Sequence, residues 1–211
     1  MTGKAKTAAL AVWEYVRRAA TPFLLNLMFG LTMFAVAMIS IVALKIILMV
    51  VLLGCTVVVD FVFMRSIGEK SYKIMLDNET KKKNAAVILD EWGEQKKETV
   101  STYKEYRVYK GFVFALIASL PAIVLMVVAG ITKNGFVRLA LWFVSGWSII
   151  PIMSISMNAS YYFGFIMVAL ITAVCGVGYI FGGNKERMRR FMLERRTQQI
   201  NAVRNREADK H

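Results

Sequence analysis

The sequence predicts an all-α integral membrane protein: a helical bundle of about five membrane segments, with an extramembrane helical hairpin and a basic amphipathic C-terminal helix. Three observations predict it. Residues 22–64 form a nearly unbroken apolar run, about twice the roughly 20 residues a helix needs to cross a bilayer. Apolar residues make up 57% of a 211-residue chain, more than one soluble domain of that size would bury. Three further apolar segments follow at residues 111–131, 136–156 and 160–182.

The elements follow in chain order. Residues 1–21 carry Lys4, Lys6, Arg17 and Arg18, with Leu10, Trp13 and Val16 at helical spacing, which suits a short interfacial helix with its tryptophan at headgroup depth. The stretch reads as retained rather than as a cleaved leader, because the apolar run after it far exceeds the roughly 7–15 residues of a signal-peptide core. Thr21 and Pro22 supply a cap and a first-turn proline, so a new helix is expected to start there.

Residues 22–64 divide into spans 22–42 and 44–64, folded back as a tight transmembrane hairpin whose turn lies at 40–45. Lys45 can reach the headgroups from that turn. Asn26 and Asp60 fall near the same membrane face, one on each span, and could hydrogen-bond across the hairpin. An intramembrane acid is a functional candidate because burying it is expensive; the alternative is that Asp60 is solvated beside Arg65.

Residues 65–110 reverse the character, with 11 Lys or Arg and 8 Asp or Glu and no proline, and read as cytoplasmic helices. Ala85, Ile88, Leu89, Trp92, Val100, Tyr103 and Tyr106 recur at helical spacing and give the second helix an apolar face. The Lys81–Lys83 cluster is the expected break between two helices, and Ile88, Trp92 and Tyr103 mark a candidate docking face.

Residues 111–183 hold the remaining membrane segments. The middle one, 136–156, is the weakest: it contains Arg138, Gly146, Pro151, two tryptophans and four serines. Its behaviour decides the topology. Lys and Arg cluster in the N-terminus, in 65–110 and after residue 183, where 9 of them fall, and all three segments ask to be cytoplasmic. Three full spans between the last two would put the basic tail outside. Two resolutions are open: five spans with one offending tail, or a re-entrant 136–156 that breaks near Gly146–Pro151, with Arg138 and Pro151 beside a pathway. Asn158-Ala159-Ser160 matches a glycosylation acceptor, too short a pattern to carry weight.

The last span is rich in small residues, and Ala169-x-x-x-Ala173 is the step expected to let helices approach closely. Gly182, Gly183 and Asn184 are expected to end it and cap a new helix. In that tail, residues 184–211, Met188, Phe191, Met192, Ile200 and Val203 share one side. Arg187, Arg189, Arg190, Arg195 and Arg196 crowd the rest, which suits an anionic leaflet or a protein partner. Nucleic acid is the less favoured anionic partner, since it needs only the charge.

Chemistry-bearing patterns are scarce. The one histidine is His211, Cys55 and Cys175 stand alone within apolar spans, and there is no phosphate loop or nucleophile elbow, so no enzyme, cofactor or metal is expected. Two functions remain open. The leading one is a non-enzymatic subunit or scaffold of a membrane complex that docks cytoplasmic or membrane partners. The other is a small oligomeric transporter or channel with residues 138–156 near the permeation pathway. The expected setting is a bacterial-type plasma membrane, the chain multi-pass with its N-terminus cytoplasmic, forming homo-oligomers or pairing with another membrane protein.

Overall fold

The computed structural model describes residues 3–92, 102–132, 134–155 and 164–208. These residues form five helices, α1 (Gly3–Ala37), α2 (Val42–Trp92), α3 (Lys110–Thr132), α4 (Gly135–Ile155) and α5 (Gly164–Ala208), with a 3-10 turn at Thr102–Lys104 before α3. Among the described residues there is no strand. Four helices, α1, α2, α3 and α5, are long and apolar enough to cross a membrane, and within α4 the stretch Gly135–Pro151 is a shorter apolar helical segment.

Three expected breaks are absent. Pro22 lies inside α1, which runs unbroken from the basic N-terminal segment into the first apolar stretch. Proline in such a helix is tolerated where neighbouring groups cover the freed carbonyl, and Pro22 is buried. The Lys81–Lys83 cluster lies within α2, so the expected extramembrane hairpin does not form there. Lysine is a good helix former, and residues 69–92 contain no proline or glycine to stop propagation. Residues 93–101 lie outside the described residues, and Tyr103 and Tyr106 sit on the 3-10 turn and the coil after it rather than on a helix face. Gly182, Gly183 and Asn184 likewise fall inside α5, which continues straight into the basic tail. Gly146 and Pro151 do not interrupt α4.

Helices adjacent in sequence are not the main packing partners. The largest interface joins α2 to α5 and the next joins α1 to α4, both exceeding the contact between α1 and α2. The tight α1–α2 hairpin expected from the sequence is therefore an exchange of partners across a short connection at residues 38–41. Glycines explain the choice. A Cβ on Gly178 would lie 2.7 Å from the Phe61 carbonyl oxygen, and one on Gly182 would collide with the carbonyl of Arg65 one turn further on. From the other side, Gly68 rests on the carbonyl of Tyr179. This Gly178-x-x-x-Gly182 step, not Ala169-x-x-x-Ala173, is the close-approach face; both of those alanines are exposed. In the second interface a Cβ on Gly146 would lie 2.9 Å from the Gly30 carbonyl oxygen.

The contacts also give direction. Phe61 meets Gly178 and Arg65 meets Gly182, both numbers rising together, so α2 and α5 are parallel. Phe34 meets Trp142 and Phe143 while Gly30 meets Gly146, so α1 and α4 are antiparallel. The N-terminal half of α1, the charged half of α2, the start of α3 and the distal half of α5 all gather at one end. There Arg18 Nη1 donates to Ser71 Oγ at 2.7 Å, Lys185 pairs with Glu69 at 3.5 Å and Lys73 with Glu186 at 3.9 Å. The opposite end holds the 38–41 connection and the start of α4, where Asn134 Oδ1 accepts from the Phe136 N–H at 2.9 Å as a cap. The core between them is built on Met33, Met49, Met64, Met126, Leu141, Trp147 and Ile149, the flexible thioethers filling gaps between closely approaching backbones.

Replacing Gly178 or Gly182 by Ala should lower stability by about 1–3 kcal/mol each through forced separation of α2 and α5. Gly54, with nothing near its Cβ position, should tolerate Ala at no cost. Thermal unfolding in detergent followed by helical circular dichroism reads the difference, and a Gly182→Ala protein as stable as the parent would contradict this packing.

Candidate functional site

Two groups of polar side chains are assembled by the fold. The first lies inside the apolar part of the bundle. Asp60 on α2 is 1% exposed and turned inward, which removes the reading in which it is solvated beside Arg65. The Asn26 side chain of α1 faces its carboxyl and Cys175 of α5 lies beside it. Neither Asp60 oxygen, nor Asn26 Oδ1, nor Thr172 Oγ1 completes a hydrogen bond among the described residues. Thr56, on the same turn-by-turn line of α2, is satisfied by its own helix, donating to the Leu52 carbonyl at 2.9 Å.

The α1–α4 register extends this group. With Phe34 level with Trp142 and Gly30 level with Gly146, Asn26 is level with Ile150 and Pro151. Asn26 and Asp60 thus face each other, while Ile149 of α4 packs against Gly164 at the head of α5. Ser145 and Ser148, fully buried one to two turns away on α4, add two hydroxyls; Ser148 Oγ donates to the Ser145 carbonyl at 2.8 Å. Arg138 is not part of this set, since the same register puts it at the opposite end, level with the end of α1.

The second group closes the basic end. Glu14 is buried and accepts from Arg18 Nε at 2.8 Å, with Arg17 at 3.1 Å on its other oxygen. Lys110, also buried, donates to the carbonyls of Tyr103 at 2.8 Å and Glu105 at 2.6 Å, which ties the 3-10 turn to the start of α3. Tyr103 contributes its carbonyl to this tie, and its side chain is half-buried. Tyr106 stacks on Tyr179 with centroids 5.2 Å apart and its ring lies on Gly183, while Tyr72 and Phe114 meet the same stack edge-on. Burial, with the Tyr72 phenol nearby, raises the Tyr106 phenol above its ordinary range.

The tail arginines divide. Arg189 and Arg190 reach Glu186 of their own helix at 3.7 and 3.5 Å, and Arg190 also reaches Asp77 at 3.9 Å, which ties α5 to α2. Arg195 lies 4.4 Å over the Phe191 ring, and Arg187 and Arg196 are exposed. Because α5 is continuous, Arg195 and Arg196 lie about 20 Å beyond Gly182 along the axis. The basic tail is therefore a continuation of the last apolar helix and not a separate helix. The side chains of Ile88 and Trp92 lie outside the described residues.

Glu14, Ser71, Lys110, Tyr179 and Glu186 were not singled out by sequence reasoning, and Tyr106 was read only as part of a helix face. Glu14 and Glu186 did carry a signal: each is an isolated acid with arginines three and four residues on, the spacing of a helix-surface pair. Among the described residues no cluster of three His, Cys, Asp or Glu is close enough to hold a metal ion. Compared with protein-family models, curated proteins and solved structures, the chain matches none.

An unpartnered buried acid costs stability and a paired one contributes it. Asp60→Leu should therefore raise stability by about 1–3 kcal/mol. Glu14→Gln, which leaves Arg18 half-paired, should lower it by about 1–2 kcal/mol. The same detergent unfolding measurement checks both, and a destabilised Asp60→Leu protein would show that the carboxyl is satisfied after all.

Proposed function

We propose that this chain is a multi-pass integral membrane protein acting as a non-enzymatic subunit or scaffold, docking cytoplasmic or membrane partners through its helical extensions. In this reading α1, α2, α3 and α5 cross the bilayer, and α4 starts from the side of the 38–41 connection and its chain returns to that side before α5. Three basic segments then share one face, which the distribution of Lys and Arg makes cytoplasmic. Support for four crossings comes from α5 itself: residues 164–182 cover about 27 Å, close to the roughly 30 Å hydrocarbon core, and their distal end is the one beside Arg65.

The observation that carries the scaffold reading is the length of α2 and α5 outside the apolar bundle. Each continues about 40 Å past the Arg65–Gly182 level. The ion pairs around Glu186 join them as far as Asp77 and Arg190, after which every α5 residue from Phe191 to Ala202 is exposed. Phe191, Met192, Leu193 and Ile200 are among them. A helix so far from the bundle gains nothing from it, and its apolar side chains are available to another chain.

One observation favours the second reading, a small oligomeric transporter or channel. Asn26, Asp60, Thr172 and Ser145 carry buried oxygens that no described group satisfies, and intramembrane polar groups of this kind line pathways in transport proteins.

Two experiments separate these alternatives. Single cysteines at Ser40 and Asn134 should be labelled by an impermeant reagent from one side of the membrane. Cysteines at Lys81 and Asn184 should be labelled from the other, all in a background lacking Cys55 and Cys175; Asn184 labelled with Asn134 would overturn the four-crossing topology. In mild detergent a stoichiometric partner should co-purify with the full chain and be lost on deletion of residues 191–211, with thermal stability unchanged. Solute flux through vesicles holding the purified chain alone, abolished by Asp60→Asn, would favour the transporter instead.

A further inference from the structure

The splayed contact between α1 and α2 leaves a cleft of about 330 Å³ at the basic end. Its α1 wall is Glu14, Arg17, Arg18 and Thr21, spaced three, one and three residues apart, which is one helix face. Its α2 wall is Phe63, Ile67, Lys70 and Ile74, again one face. The helices run antiparallel here, since Arg18 meets Ser71, so the apolar Phe63 and Ile67 lie toward the bundle, with Arg17 and Lys70 beyond them. Phe63 belongs to the last turn of the apolar run, and Lys70 is about 10 Å further along the axis.

We propose that this cleft is a binding site for one anionic phospholipid of the cytoplasmic leaflet. The inference rests on the membrane reading above. Three cations face a single carboxylate, and that carboxylate is already engaged by Arg18 and Arg17. The surplus positive charge selects an anionic headgroup over a zwitterionic one. Arg18 is preset: Glu14 and Ser71 hold its guanidinium on the cleft wall at 2.8 and 2.7 Å, so little side-chain freedom is lost when a phosphate arrives. Arg17, with 63% of its side chain exposed, exchanges its contact with Glu14 for one with the headgroup. The acyl chains follow Phe63 and Ile67 onto the exposed apolar surface of Leu24 and Met28 on the Arg17 side of α1. Free phosphate would use the cations but not that apolar wall, which is why a lipid is the occupant.

The test is mass spectrometry of the intact protein in mild detergent with phosphatidylglycerol or phosphatidylcholine at equal concentration. Phosphatidylglycerol should be retained preferentially, and the preference should fall by roughly tenfold or more in the Arg17→Gln/Lys70→Gln protein. Ile67→Trp, which fills the cleft without changing charge, should lower retention as well. Arg195→Gln/Arg196→Gln in the distal tail should leave it intact. Equal retention of both lipids, a preference that survives the double variant or the cleft-filling one, or loss of preference in the tail variant would each overturn the site. Displacement of the lipid by millimolar inorganic phosphate would assign the cleft to a free anion and overturn the lipid. Resistance of the protein to alkaline extraction from phosphatidylcholine vesicles tests membrane residence separately, so failure of the site and failure of the membrane reading are distinguishable.

Discussion

Close backbone approach between α2 and α5 is the constraint on which the rest of the molecule depends. In a bilayer, lipid tails are as apolar as leucine, so helices associate through dispersion contacts and polar groups that only close packing permits. Gly178 and Gly182 present one bare face to the carbonyls of Phe61 and Arg65, and Gly68 returns the contact to Tyr179. Because the two helices are parallel, they reach the basic end together and stay in step to the ion pairs of Lys73, Asp77, Glu186 and Arg190. Tyr179 then seats both Gly111 at the head of α3 and the ring of Tyr106, and Gly183 lies under that ring. A glycine inside a helix is about 1 kcal/mol worse than alanine, and here the loss is offset by interfaces that no side chain at those positions would allow.

The second glycine contact, Gly30 against Gly146, organises the other half of the bundle. It draws α1 onto α4 and leaves α1 and α2 in looser contact. That looseness has two consequences of opposite character. Deep in the bundle it leaves Asn26 and Asp60 facing each other without a completed hydrogen bond to either carboxyl oxygen. At the basic end it opens the cleft between Arg17 and Lys70. Stability and chemistry are therefore separated between helix pairs: the tight α1–α4 and α2–α5 contacts are glycine on backbone, and the open α1–α2 contact holds the charges.

The charged end is also where the chain has its greatest surface. Positive charge is partly consumed internally, as Glu14, Glu69, Asp77 and Glu186 hold Arg18, Lys73, Lys185, Arg189 and Arg190 within the assembly. Among the cations left outward-facing, Arg17 with Lys70 and Arg195 with Arg196 lie in two places with different reach. The first pair lies at the level where α1 and α2 leave the apolar region, and the second pair lies about one and a half turns beyond the Arg190–Asp77 contact. Lipid recognition suits the former, and protein docking the latter.

Much of this was legible in the chain. The apolar segments, the charged middle region and the three basic stretches are properties of windows of about 20 residues, and burial in any fold leaves them unchanged. Asn26, Asp60 and Pro151 could be named because polar or breaker residues in apolar runs are conspicuous, and two of them could be paired by depth alone. The helix breaks assigned to Pro22 and Gly182–Asn184 failed because a residue's local tendency yields to what lies opposite it, and that partner can be more than 100 residues away, as Arg65 is from Gly182; at Lys81–Lys83 the helix-forming tendency of lysine itself carries α2 through. Composition by itself determined that this is an all-helical protein with segments suited to a membrane. Only the tertiary structure decided which helices pair, that Gly178-x-x-x-Gly182 rather than Ala169-x-x-x-Ala173 is the joining face, and that Glu14 and Lys110 are buried, because the fit between two backbones is a property of both.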